Sequence, residues 1–454
     1  MAAIDKDTKA GANPTKGFFV RMIGRDIDIE DCILDLIDNS IDGAWRCEGS
    51  PPMDLQNDTD LSKYSISITA SPEHFSIKDN CGGMTLDDAV DYAFSFGRRE
   101  LDELDDYSIG VYGIGMKRAV FKLGADIRIR STYQDTDGTS QSFAVPIIVA
   151  DWLANDEPPW DFDIVEDAAL HENGVEVIVN VLTAGAAASF GSPVFLQNLE
   201  RMISRDYSLY LDRGLKIFIN DTMVAGWKIE LRQSDEFVPM RVDYTDELDG
   251  NEVKVEIIGG MSAPPPENIH PDKDDGDKRF GWYVVCNGRI VLAADKTTVS
   301  GWGTDDWPQW HYQYSGFIGI ILFTARNAAA LPMTTTKRSV ERTSEIFRRA
   351  RPRMREVSKQ WMAYTNVRKQ ALEEAKQKEA AATAISIHAV ERKASTKFPA
   401  LVARPVDRVA HVNYSVPVTK MKKLAREFGG INMPNYKVGL KSFDYAYKDM
   451  VGDE

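Results

Sequence analysis

The chain predicts an α/β protein: a mixed sheet layered with helices, a second α/β region behind it, and a helical, basic C-terminal third. Three observations carry this. Segments alternating apolar and polar residues, such as YSISITA at 64–70 and VEVIVNVL at 175–182, are interleaved with stretches of helical period such as 26–46. A glycine-rich run, GVYGIGMKRAVFKLG at 110–124, opens a helical pattern. Charge is divided along the chain: the net charge is −15, yet from residue 337 on Lys and Arg outnumber Asp and Glu by about two to one.

Composition narrows the class. At roughly 150 residues per domain, 454 residues imply about three domains. A hydrophobic content of 43% excludes a collagen-like or wholly disordered chain. The longest apolar runs, such as 317–325, fall well short of the roughly 18 residues a membrane-spanning helix needs, so no membrane partner is expected. The polar N-terminus has no apolar core of a signal peptide. Cys32, Cys47, Cys81 and Cys286 have neither zinc-knuckle nor redox-pair spacing. These features imply a reduced, cytoplasmic protein.

The elements follow in order. Ile29, Cys32, Ile33, Leu36, Ile37, Ser40, Ile41 and Ala44 recur at helical spacing, so 26–46 forms one helix. A Pro/Asp/Asn-rich loop leads to a strand pair, 64–70 and 74–80, around a short turn. Thr85 caps a helix over 85–94. The glycine-rich helix is followed by strands at ADIRIRS, QSFAVPIIV and VEVIVNVL. After the Ala/Gly/Ser-rich stretch at 183–192 a second region begins, with a helix over 196–211 and strands at LKIFIND, VKVEIIG, GWYVVCNGRIVL and FIGIILFT. The segment 262–279 reads as an exposed loop. From Lys337 to about 393 the pattern is helical and rich in Arg, Lys, Glu and Ala; the last 60 residues carry weaker, mixed signals.

Three motifs carry chemistry. On the first helix Asp31, Asp35, Asp38, Asn39 and Asp42 share about a quarter of the circumference, and no Lys or Arg lies between Arg25 and Arg46. Such a stripe is either a solvated acidic face or a set of oxygen ligands for magnesium with its waters. IKDNCGGM at 77–84 is either an ordinary turn or a base pocket. In the second reading Asp79 accepts from an exocyclic amine, the glycines let a flat ring approach, and Met84 packs on its face. Gly110, Gly113, Gly115 and Lys117 precede or open a helix, where free N–H groups and the helix dipole bind phosphate; the alternative is a hinge.

Taken together, an acidic-Asn helix, DN-x-G-G-M about 40 residues on and G-x-G-x-K about 30 further resemble the GHKL ATPases. These include the gyrase ATPase subunit, the MutL mismatch-repair proteins, the large ATP-driven heat-shock chaperones and the sensor histidine kinases. The motifs cover about 17–182. More weakly, to about 350, YGIGMKRAVFKLG, GWYVVCNGRIVL with the following GWG, and LPMTTTKRSV look like the Microrchidia branch. The resemblance implies a two-layer Bergerat-type ATP-binding domain at 1–182. A transducer-like α/β domain, akin to ribosomal S5, would follow at 183–336, then a basic helical segment at 337–393 and a tail of unassigned role at 394–454.

By resemblance, Asn39 is the Mg²⁺ ligand, Asp79 holds the adenine amino group, and Gly83 and Met84 form the adenine pocket. Gly110, Gly113, Gly115 and Lys117 cradle the phosphates. A lid runs over about 94–116 with Arg98 and Arg99 near its start. Asp35 takes the place of the water-activating Glu, one methylene shorter. Cys81 occupies the first glycine position of DN-G-x-G-M. Gly174-Val175 stands where a Gly-Thr usually supports the adenine Asp, so that hydroxyl must be replaced by another group or by water. Lys337, in threonines-then-lysine at a strand-to-helix turn, looks like the transducer lysine that reaches the γ-phosphate; otherwise it is a surface lysine at a helix start.

The implied function is a slow Mg²⁺-dependent ATPase acting as an ATP-gated homodimeric clamp or switch, with a non-hydrolysing ATP sensor that switches a protein partner as the alternative. A histidine kinase is disfavoured, because no helix with a phospho-acceptor His precedes the ATP domain, and a topoisomerase would need cleavage machinery. DNA is the polyanion a basic C-terminal third could meet. A bacterial antiviral-defence or DNA-surveillance role fits by analogy alone.

Overall fold

The computed structural model describes residues 15–25, 27–49, 59–95, 107–110, 113–155, 160–267, 279–304, 306–401, 412–430 and 432–452. The chain divides into two compact units, Met1–Ala403 and Arg404–Glu454.

Helix α1 (Lys16–Arg25) precedes α2 (Ile29–Glu48), the element around which the first unit is built. Cys32, Ile33, Leu36, Ile37, Ile41 and Ala44 recur at helical spacing and are all buried. The helix stops at Gly49, whose left-handed conformation (φ 60°) lets its N–H reach back to the carbonyls of Trp45 and Arg46. Strands β1 (Ser65–Ala70) and β2 (Phe75–Asp79) form an antiparallel hairpin. Thr85 caps α3 (Leu86–Asp88), its hydroxyl accepting from the Asp88 N–H at 3.0 Å, and the chain continues as a π-turn over Ala89–Ala93. Next come α4 (Gly115–Leu123), β3 (Gly124–Gln134), β4 (Ser140–Ile148), α5 (Val149–Ala154), β5 (Val165–Glu166) and β6 (Gly174–Leu182). Helices α6 (Ala184–Phe190), α7 (Pro193–Asp206) and α8 (Ser208–Asp212) lead to β7 (Lys216–Ile219) and β8 (Thr222–Met223).

These strands form one mixed sheet in the order β5-β4-β3-β6-β2-β1-β7-β8, in which only β1 and β7 run parallel. The expected division at 182/183 therefore does not coincide with the end of the sheet. LKIFIND returns to pair with β1, because Ile217 and Ile219 complete the apolar face that Ile66 and Ile68 begin.

A second sheet has the order β10 (Met240–Leu248), β11 (Asn251–Met261), β14 (Phe317–Ala325), β12 (Gly281–Cys286) and β13 (Arg289–Asp295). Helix α9 (Glu345–Arg368) lies against it with Phe347, Met354, Val357 and Trp361 buried. Contact is close enough that a Cβ on Gly259 of β11 would stand 2.6 Å from Val357 Cγ1. The helical stretch expected to reach about 393 ends earlier. After α10 (Leu372–Ala380) the chain forms β15 (Thr383–Ser386), which pairs with β9 (Glu230–Gln233). Much of the basic segment is thus structural, its apolar side closing a core.

The second unit contains α11 (Val418–Glu427) and α12 (Asn435–Val451). Among the described residues no helix is long and apolar enough to cross a membrane.

Candidate functional site

The site begins with a strand register. Phe75, Ile77 and Asp79 alternate on one face of β2, and pairing sets Phe75 and Ile77 beside Val179 and Val177 of β6. The alternation that buries the two apolar residues therefore carries Asp79 into the same covered layer. There it meets α2: Ser40 Oγ donates to Asp79 Oδ2 at 2.6 Å. The N–H groups of Cys81 and Val175 donate to Oδ1 at 2.9 and 3.2 Å. Burial pushes the Asp79 carboxyl above its ordinary range, with Ser40, Cys81 and Val175 opposing. The support expected from a threonine at 175 comes instead from Ser40, across the layer.

The chain after Asp79 turns sharply through Gly82 (φ 94°) and Gly83 (φ 80°). A Cβ on Gly83 would lie 2.1 Å from the Thr132 carbonyl, so only glycine fits. Met84 follows, tied through its N–H and carbonyl to the Ser131 hydroxyl, both at 2.8 Å.

Asp79 and Met84 line one part of a cavity of about 520 Å³, which Ile77, Val175 and Val177 make apolar. Its other part is bounded by Asn39, Asp35, Gly110, Gly113, Gly115, Arg118, Thr335 and Lys337. Helix α4 opens there with no side-chain cap, and Gly113, Ile114, Gly115 and Met116 at its start line the space. A Cβ on Gly115 would come within 3.3 Å of the Asp35 carboxyl. Asp42 fixes the approach to this loop, accepting from the Ile109 and Gly110 N–H groups at 2.8 and 3.1 Å. Burial pushes the Asp42 carboxyl up to about 7.

Most of the acidic stripe of α2 is not a solvated face. Among the described residues no group of three or more His, Cys, Asp or Glu is placed to hold a metal. Asp31, Asp35 and Asp38 are buried, because cations from distant segments cover them. Asp35 pairs with Arg118 at 2.6 Å and Lys337 at 3.0 Å. Asp38 pairs with Arg289, with Lys337 at 2.7 Å, and accepts from the Tyr207 hydroxyl at 2.7 Å. Asp31 pairs with Arg338. Burial works to raise the Asp35 carboxyl, but Lys337 and then Arg118 outweigh it and hold it below the ordinary range. Burial likewise works against the Lys337 ammonium, and Asp38 and Asp35 more than offset it, keeping it charged. Asn39 alone of the stripe is exposed, and it lines the cavity.

Lys337 arrives on a tight loop. Met333 and Val340 bridge, Thr334 N–H donates to the Ser339 carbonyl at 3.0 Å, and Lys337 N–H to the Thr334 carbonyl at 2.8 Å. Lys337 itself holds a left-handed backbone (φ 56°), a strained position for a long side chain. The second sheet touches the site at further points. The turn between β12 and β13 places Asn287 Nδ2 3.2 Å from the Ser108 carbonyl, and Tyr107 N–H donates to the Arg326 carbonyl at 2.7 Å.

Of the residues singled out by sequence, Asp35, Asn39, Asp79, Met84, Gly110, Gly113, Gly115 and Lys337 line this one cavity. Gly83 shapes its wall through the turn. Lys117 is not brought to it: its ammonium donates to the carbonyls of Ala93 and Ser95 at 2.8 and 2.6 Å, and the neighbouring Arg118 faces the cavity instead. Arg98 and Arg99 lie outside the described residues. Ser40, Arg118 and Arg289 were not expected, and Asp42, expected as part of the acidic stripe, holds the Ile109–Gly110 backbone instead; each acts across tertiary contacts that no local spacing encodes.

Residues 27–172 match the family of histidine kinase-, DNA gyrase B- and HSP90-like ATPases. The chain thus carries a GHKL-type ATPase domain of Bergerat architecture, followed by further sheet and C-terminal helical regions. Nucleotide binding and hydrolysis are consistent with that superfamily. No curated protein matches the chain.

Proposed function

We propose that this protein is a Mg²⁺-dependent ATPase in which nucleotide occupancy is read out by the second sheet, driving an ATP-gated dimeric clamp or switch. The observation that carries the proposal is Lys337. A residue 302 positions from Asp35 in sequence is buried against it in the nucleotide cavity, on a strained loop of the second region.

Each part of the cavity has a chemical role in this reading. Asp79, already holding three donors, offers its cavity-facing lone pairs to the adenine amino group, and Met84 packs on the ring. The open N-terminus of α4 and the loop through Gly110, Gly113 and Gly115 receive the phosphates. Asn39 fits as the protein ligand for Mg²⁺, which takes few protein oxygens and is otherwise held by water and phosphate; bound there, the ion would neutralise phosphate charge. Asp35 positions the attacking water and accepts its proton. Its two cations must first be drawn off, and the γ-phosphate is the group that can draw Lys337.

That same pairing favours a second reading. Asp35 neutralised by Arg118 and Lys337 is a weak base, which suits a sensor that binds ATP without hydrolysing it and switches a protein partner. DNA contact through the basic C-terminal third belongs to either reading. Steady-state phosphate release by the full chain, with and without DNA, separates them. Turnover that Lys337→Ala slows at least about tenfold, the equivalent of roughly 1.4 kcal/mol, with ADP affinity unchanged, supports the ATPase. ATP binding with no phosphate release supports the sensor. Normal turnover in Lys337→Ala overturns the role of the second sheet.

A further inference from the structure

Two cysteines that stand 34 residues apart in sequence meet behind Asp79. Cys47 lies on the last turn of α2, and its thiol donates to the Cys81 carbonyl at 3.7 Å. A Cβ on Gly82 would stand 2.2 Å from Cys47 Sγ, so the sulfur rests directly against the turn that follows Asp79. Gly43, one helical turn before Cys47 on the same face, lets that turn approach: a Cβ there would lie 2.7 Å from the Cys81 carbonyl and 3.4 Å from Cys81 Cβ. The two thiols are unequal. Cys47 is exposed, whereas Cys81 is 2% exposed and burial pushes its thiol well up. Cys32 and Cys286 are fully buried, and burial raises both of them as well. One open thiol beside a covered second one is the arrangement in which an oxidant attacks the first and the second resolves the product.

We propose that Cys47 and Cys81 form a reversible oxidation site for hydroperoxides that turns off the base pocket; the effect on ATP rests on the nucleotide reading above. The Cys47 sulfur attacks one peroxide oxygen, the O–O bond breaks, and the remainder leaves as water or an alcohol, giving a sulfenic acid. The Cys81 sulfur then attacks the Cys47 sulfur, the S–O bond breaks, and the hydroxyl leaves with the Cys81 proton as water. The two thiols have lost two electrons, and the peroxide has taken them. The consequence follows from what Cys81 already holds. Its N–H donates to Asp79 Oδ1 at 2.9 Å, and the chain beyond it is the left-handed turn at Gly82 and Gly83. The Thr132 carbonyl stands where a Gly83 Cβ would be, so the turn is held close on its far side. Both cysteines are free thiols in this structure. Drawing their sulfurs into a bond therefore shifts the Cys81 backbone against α2 and takes its N–H off Asp79. Cys81 occupies a glycine position of the motif it resembles, so the second sulfur is a feature of this chain.

The test treats the full chain with hydrogen peroxide in small molar excess, then denatures it, alkylates it with N-ethylmaleimide and weighs it. The expected result is the loss of two alkylatable thiols, mapped by peptide mass to a Cys47–Cys81 bridge. ATP affinity, measured by calorimetry before denaturation, should fall at least about tenfold, the loss of one hydrogen bond to a charged group. Dithiothreitol should restore both. That reversal separates the bridge from oxidation of Met84 in the cavity, whose sulfoxide the reductant leaves in place. Cys47→Ser, at an exposed position, should bind ATP like the reduced parent and keep that affinity through peroxide. Cys81→Ser should form no bridge and should hold a sulfenic acid on Cys47 that dimedone traps. Thiols that all remain alkylatable after peroxide overturn the proposal. A bridge that leaves ATP affinity unchanged, or an equal loss of affinity in Cys47→Ser, overturns it as well. The thiol count needs no nucleotide: a reduced chain that binds no ATP fails the nucleotide reading and the effect on ATP with it, while the oxidation site is still decided by mass.

Discussion

Removing the Ser40 hydroxyl isolates the support of Asp79, the carboxylate proposed to recognise the base, from everything else in the site. Ser40→Ala deletes one oxygen whose donor reaches Asp79 Oδ2 at 2.6 Å inside a buried layer. A hydrogen bond to a charged group contributes about 1.5–3 kcal/mol, and Asp79 keeps its two backbone donors, so the lower half of that range applies. If that difference falls on the ionised form, ATP affinity should drop by about tenfold, which corresponds to roughly 1.4 kcal/mol. The pH dependence supplies a second readout. The Asp79 carboxyl is already raised by burial, and Ser40 is the strongest group opposing the rise. Without it the carboxyl moves further up, and ATP affinity should begin to fall at a higher pH on acidification. Stability moves the other way. A carboxyl whose folded value lies above its unfolded one binds its proton more tightly when folded, so the protein without nucleotide gains stability as pH falls through the folded value towards the unfolded one. Calorimetric titration with ATP and thermal melts, both from pH 8 to pH 5, should therefore diverge, more so in Ser40→Ala. Unchanged affinity with an unchanged pH profile would refute the argument and assign Asp79 support to its backbone donors.

Other substitutions probe the remaining parts. Asp79→Asn should abolish ATP binding in a calorimetric titration, because an amide presents an NH₂ where an acceptor is needed; retained affinity would put the base elsewhere. Asp35→Asn should keep ATP binding and slow single-turnover hydrolysis by about 10²–10⁴-fold, the usual contribution of a general base. A rate equal to the parent would shift that role to another group. Gly83→Ala places a methyl 2.1 Å from the Thr132 carbonyl in a left-handed turn, and both denaturant midpoint and ATP affinity should fall; a neutral outcome would show that the turn can rearrange.

How much of this was legible in sequence depended on whether the information was local. Helix α2 follows from its apolar period, and Asp79 follows from alternation along β2, since both repeat within a few residues. Which residue of the Met116-Lys117-Arg118 run faces the cavity does not follow. Adjacent positions on a helix differ by 100°, and the rotation of α4 is set by burial of Ala119, Val120 and Leu123. That burial turns Arg118 to Asp35 and sends Lys117 to the carbonyls of 93 and 95. The countercharges of the acidic stripe were hidden for the same reason: Arg118 lies 83 residues from Asp35, and Arg289, Lys337 and Arg338 come from beyond residue 280. The return of 216–219 to β1 is likewise a long-range pairing with no local mark.

The paired charges around Asp35 and Asp38 have a consequence for how a nucleotide enters. Arg118, Lys337 and Arg289 share two carboxylates, so the cluster carries one positive charge in excess and no bare cation. In the proposed reading a phosphate arriving there would not meet hydrated ammonium groups that must shed water. It would take the place of one carboxylate on cations already dehydrated, and the released carboxylate is the group proposed to position the attacking water. The site would then behave as an ion exchanger, in which the free energy separating the two arrangements is the small difference between two strong pairings. A single terminal phosphate would tip such a difference, and each exchange would move the loop of residues 333–340 relative to α2.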